Sequence, residues 1–133
     1  MINKFNELAT SIATACRTAH SGIWVTGERT YMPSKFPCIA IVEADRYEDP
    51  SHVDNTLAEK NVVMLIELTI FSNKTSGRRS ECVGILETAS DVLKSKNARM
   101  ISKIEGFSDV DDTIYMVQAR YRLATDGTYW YTY

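Results

Sequence analysis

Apolar residues recur at helical spacing near the N-terminus and switch to alternation further on, so the elements can be read in order. Phe5, Leu8, Ala9, Ile12, Ala15, Cys16 and Ala19 share one helical face, and Ser21-Gly22 stops that helix. Ile23-Trp24-Val25-Thr26 reads as a short strand before a turn at Gly27-Glu28. Pro33 and Pro37 bracket a break that leads into Cys38–Glu43, a stretch apolar on both faces, as an inner strand is. From Asp45 to Lys60 the chain turns polar and acidic and holds Pro50, Ser51, His52 and Asn55, which predicts a long loop.

Val62–Phe71 is the strongest strand signal. Val62, Met64, Ile66, Leu68 and Ile70 form a wholly apolar face that should meet the helices. Val63, Leu65, Glu67, Thr69 and Phe71 form a half-polar face, expected against solvent or a partner. After Ser72–Gly77, with Thr75 or Ser76 offered as cap, a second helix places Cys82, Ile85, Leu86, Ala89, Val92 and Leu93 on one side and stops near Asn97. Met100–Phe107 and Thr113–Leu123 read as strands joined by a turn at Ser108–Asp112. Asp126-Gly127 returns the chain into Thr128-Tyr129-Trp130-Tyr131, because both central positions of such a hairpin tolerate positive φ. The order predicts one α+β domain over residues 1–133: a mainly antiparallel β-sheet with two helices packed on one face.

A chain of 133 residues removes roughly two-thirds of its unfolded surface from water and needs no disulfide or metal to fold. The three cysteines, Cys16, Cys38 and Cys82, are far apart and flanked by aliphatic residues, so buried thiols are expected rather than zinc or dithiol chemistry. No apolar run approaches the ~20 residues of a membrane span. The start Met1-Ile2-Asn3-Lys4-Phe5 lacks the features of a secretory leader, which makes cytosolic synthesis the expectation.

Charge adds a pattern rather than a class. The net charge of −2 does not suit a basic nucleic-acid binder. Residues Glu43 to Glu59 are acidic, Lys74 to Lys103 lean basic, and a second acidic knot holds Glu105, Asp109, Asp111 and Asp112. Beyond solvated loops, such blocks suit complementary patches on neighbouring subunits. Candidate contact residues are Asp45, Glu48, Asp49, Asp54 and Glu59 on the acidic side and Arg78 and Arg79 on the basic side. Glu67 interrupts an apolar strand, where Arg120 or Arg122 can face it across the sheet. Trp130, opposed in its strand to Tyr129 and Tyr131, is an aromatic contact candidate.

Catalytic chemistry finds little footing. His20 sits at the end of the first helix, and His52 stands beside Ser51 without a nucleophile elbow. The aspartates at 109–112 lack calcium-loop spacing, and no phosphate-binding glycine motif occurs. Neither an enzyme nor a cofactor is expected.

The chain resembles the lambda-type tail terminators, small neck or tail-completion proteins of long-tailed bacteriophages. The resemblance is carried by its length, the N-terminal helix, the strand onset Phe36-Pro37-Cys38-Ile39-Ala40-Ile41, the strand–helix passage Val62–Leu93, and the ending Tyr115–Leu123 with a short hairpin. It covers most of the chain as an order of elements, with no diagnostic motif. It implies an α+β subunit that closes into a homo-oligomeric ring, typically a hexamer, which caps the tail tube and presents a surface to the head-side connector. Its partners are then further copies of itself, the tail tube protein and the head–tail connector protein, with no membrane and with DNA only passing through the lumen. Its place is the virion neck, assembled in the host cytoplasm, and no catalytic residue or cofactor carries over. The residues leave open a head-closure protein of the same element order, or a small-molecule-binding or regulatory α+β domain.

Overall fold

A computed structural model describes residues 3–48 and 62–131. The elements follow as α1 (Phe5–Ala19), β1 (Trp24–Thr26), β2 (Cys38–Glu48), β3 (Val62–Ser72), α2 (Arg78–Ser95), β4 (Arg99–Phe107), β5 (Tyr115–Thr125) and β6 (Trp130–Tyr131). They form an α+β fold. The strands make one six-stranded sheet in the order β1-β2-β3-β5-β4, with β6 pairing the far end of β5. Every pairing is antiparallel except β1 with β2. Both helices lie on one face.

The apolar row of β3 decides that layering. Val62, Met64, Ile66, Leu68 and Ile70 are fully buried with Ile39 and Ile41 of β2, and with Val117, Ala119, Tyr121 and Leu123 of β5. Leu8, Ile12 and Cys16 of α1 and Cys82, Ile85, Ala89 and Leu93 of α2 close this core from above. Each aliphatic side chain removed from water there stabilises by about 1.5–3 kcal/mol. Polar contacts also cross it. The Tyr121 hydroxyl hydrogen-bonds the Ser90 hydroxyl on α2, and His20, at the end of α1, meets the Thr88 hydroxyl of α2 at 2.8 Å. A smaller cluster of Cys38, Phe71 and Ile114, backed by Trp24, Phe36 and Met116, covers one end of the other face.

The three thiols are buried, as their surroundings predicted. Burial pushes Cys16 and Cys38 up to about 11 and Cys82 to about 12. Among the described residues no helix is long and apolar enough to cross a membrane.

Four local expectations need correction. The strand expected to end at Glu43 runs on to Glu48, because a bulge between Glu43 and Asp45 shifts the alternation by one residue and disguises the continuation. Asp45–Glu48 is therefore strand, not loop. The second face of β3 is not solvated: Glu67 and Thr69 are buried. Helix α2 is capped by neither Thr75 nor Ser76 but starts from Gly77 in the left-handed region, at φ 80°. Finally, β5 begins at Tyr115 and continues to Thr125. The turn at Asp126-Gly127 is present, with Gly127 at φ 94°.

Candidate functional site

The helix-free face of the sheet and its β4 edge carry the surface chemistry. On that face Glu67 stands directly opposite Arg120 in the β3–β5 register. A carboxylate inside an otherwise apolar strand must find donors, since an unpaired buried charge is strongly unfavourable. Glu67 is 2% exposed and finds three. Arg29 donates to Oε2 at 2.8 Å, Gln118 donates to Oε1 at 2.6 Å, and Arg120 approaches Oε2 at 3.5 Å. The expected cross-strand pair with Arg120 is present. The shorter contact comes from Arg29, which lies in the irregular segment between β1 and β2 and has no periodic signature.

These groups line an open cleft of about 320 Å³ together with Tyr31, Phe107, Asp109, Val110 and Met116. Each guanidinium keeps about half its side chain in water, 50% for Arg29 and 49% for Arg120. The cleft thus holds two half-exposed cations, the buried Glu67 carboxylate and Asp109, among apolar and polar walls.

The β4 edge is more open. All but one of its nine residues are exposed, and among the described residues no strand pairs its outer side. Met100, Ile101, Ile104 and Phe107 present apolar surface there, Ile104 at 60% exposure. Tyr31, Met32 and Val110 extend apolar surface beyond the strand end, and Tyr129 and Tyr131 add aromatic surface on the final hairpin. The strand over Met100–Phe107 is foreseen but none of its residues is among the predicted contacts, although four apolar side chains interspersed with Arg, Ser, Lys and Glu are a usable signal of an edge strand.

The predicted contact residues are placed as follows. Asp45 is an exposed strand residue whose carboxylate accepts the Arg46 amide at 2.8 Å, and Glu48 ends β2. Asp49, Asp54 and Glu59 lie outside the described residues. Arg78 donates to the Thr113 carbonyl at 2.6 Å and stacks over Phe107 at 5.4 Å. Arg79 pairs with Glu105 at 2.7 Å. The basic start of α2 is therefore bound to its own β4–β5 hairpin. The Arg79 hydrogen bond holds the Glu105 carboxyl below its usual range. Arg122 is half-buried beside Leu65 and Arg99 in register. Trp130 faces inward, partly buried on the main core, with its carbonyl accepting from Asn97 at 2.8 Å. Asp111 closes its own turn, accepting the Thr113 amide at 2.9 Å. That amide bond holds the Asp111 carboxyl below its usual range.

No family model matches the chain, and no curated protein matches it. Among solved structures, it is similar to the sheath/tube terminator of an extracellular contractile injection system, PVC, determined by cryo-EM in the extended state. The TM-score is 0.47 and the identity 9%, over 96% of this chain and 59% of that one. This chain thus spans under two-thirds of that protein's length, and a likeness of this size transfers no role.

Proposed function

We propose that this protein is a structural assembly subunit, a tail terminator or tail-completion protein that forms a homo-oligomeric ring, and not an enzyme. The ring caps a tail tube and joins it to a head-side connector. The observation that carries the reading is the β4 edge, a nine-residue strand with no strand on its outer side among the described residues and with four exposed apolar residues. Soluble proteins shield such edges unless another chain covers them. The element order that resembles lambda-type terminators supports the particular role. Two further features support contact over catalysis. The thiols are held protonated by burial, and the buried carboxylate Glu67 is engaged by two arginines.

Light scattering over a range of concentrations, with negative-stain images of the same samples, tests the proposal. Closed rings, of six subunits if the resemblance holds in full, are the expected result. A monomer at every concentration that also leaves tail-tube ends bare overturns it.

The arginine-flanked cleft favours one other reading, a binding domain for a small anionic metabolite. That reading expects a discrete dimer or monomer and a ligand-dependent rise in melting temperature.

A further inference from the structure

The two sides of the sheet end differently. On one side lies β4. On the other, β1 covers only Cys38–Ala40 of β2, and among the described residues no strand pairs the outer side of Ile41–Glu48. We propose that β4 of one copy adds antiparallel to this uncovered part of β2 in a second copy, making the sheet continuous from subunit to subunit. This inference rests on the ring reading and gives it an interface.

Strand direction permits the join. Since β2, β3, β5 and β4 are successively antiparallel, β2 of a neighbour placed beside β4 in the same sense also runs antiparallel to it. Charge selects it. By sequence β4 carries Arg99 and Lys103 against Glu105, while the open part of β2 carries Glu43, Asp45 and Glu48 against Arg46. Two β4 edges paired along their full length would set Lys103 against Lys103, and directly opposed like charges are destabilising. A joint between unlike edges is heterologous, and heterologous joints build rings when the rotation closes.

The bulges limit the register and charge selects within it. β4 shifts its alternation between Met100 and Ser102, and β2 shifts between Glu43 and Asp45. Each strand stays in phase with a continuous neighbour across its shift, as Glu43 opposite Ile66 and Asp45 opposite Leu65 do, so the join keeps its faces when a helix-side residue of β4 meets a helix-side residue of β2. Setting Lys103 opposite Glu43 achieves this, with Ile104 opposite Val42, Ser102 opposite Asp45 and Arg99 opposite Tyr47. Lys103 then joins the existing Glu43–Arg46 pair, whose contact is 2.8 Å, and an apolar pair and a hydroxyl–carboxylate pair face one another beside it, each of a kind that stabilises adjacent strands.

Cysteine pairing tests the joint, with the buried native thiols contributing little background. The variant Val42→Cys with Ile104→Cys, oxidised under assembly conditions, is expected to give a covalent ladder on a non-reducing gel. An equal mixture of the two single variants is expected to stop at dimers. Rings in the images without a Val42–Ile104 crosslink overturn the strand joint and leave the ring standing. Neither rings nor crosslinks overturn both. Efficient dimerisation of Ile104→Cys alone shows a β4–β4 contact and overturns the joint as well.

Discussion

Glu67 and its partners are not equivalent in their relation to water. The carboxylate is 3% exposed, whereas the Arg29 and Arg120 side chains are about half in solvent, at 50% and 49%. A guanidinium that loses its partner here rehydrates; the carboxylate cannot. Arg29→Ala is therefore expected to cost about 1–2 kcal/mol and Glu67→Gln less than about 1 kcal/mol, by urea unfolding. The opposite order of costs would mean that Glu67 reaches water without Arg29. Three surface carboxyls carry a different signature. Glu105 is held below its usual range by Arg79, Asp111 by the Thr113 amide, and Asp126 by the Tyr129 and Thr128 amides. Each has a lower pKa folded than unfolded. The stability each contributes is present above the ordinary carboxylate value of about 4 and is lost as pH falls through the folded value. Melting temperature should stay level from about pH 7 to 5 on this account and decline below about pH 4. Asp126→Asn, which accepts the same amides without titrating, should shallow the decline. The Glu67–Arg120 pair was legible because strand alternation puts both on one face. Arg29 was not, because it arrives from an irregular segment whose path no periodicity records.

At the scale of elements, α1, β3 and the Asp126-Gly127 hairpin lie close to where the apolar pattern puts them, since each has a single unbroken period. Boundaries went astray where a backbone device replaced a side-chain signal. The bulge at Ala44 moves Asp45 to the face opposite the one strict alternation assigns, and the continuation of β2 then looks like polar loop. At the start of α2, Thr75 and Ser76 promised a hydroxyl cap, but no side-chain cap bond forms and the chain turns through Gly77 at φ 80°. A Cβ added at Gly77 meets nothing within 4 Å, so substitution there tests conformation alone. Gly77→Ala is expected to lower stability by about 1 kcal/mol through left-handed strain, whereas Thr75→Ala and Ser76→Ala should each fall within about 0.5 kcal/mol of the parent. A loss of about 1 kcal/mol in Thr75→Ala or Ser76→Ala would restore the hydroxyl cap.

The whole molecule depends on what no segment announces, the order of strands across the sheet. β5 enters between β3 and β4, which places β4, a strand of middling pattern, at one rim, and leaves part of β2 at the other without a strand neighbour among the described residues. Strand order arises from packing between segments far apart in sequence, so neither alternation nor composition specified it. Its consequence is that the protein's association should be separable from its folding. Ile104 is the residue that separates them. It is 60% exposed, stands opposite Gln118 on the helix-free face, and belongs to neither buried cluster. A lysine there leaves the core untouched, so the unfolding free energy of Ile104→Lys should stay within about 0.5 kcal/mol of the parent. The same charge on an open edge is the device by which proteins discourage strand addition, and on the self-assembly reading it should shift the light-scattering mass to that of a single subunit. An Ile104→Lys variant that is equally stable and assembles normally would show that β4 is bare by tolerance and that the contacts lie elsewhere, with the aromatic surface of Tyr129 and Tyr131 next in line.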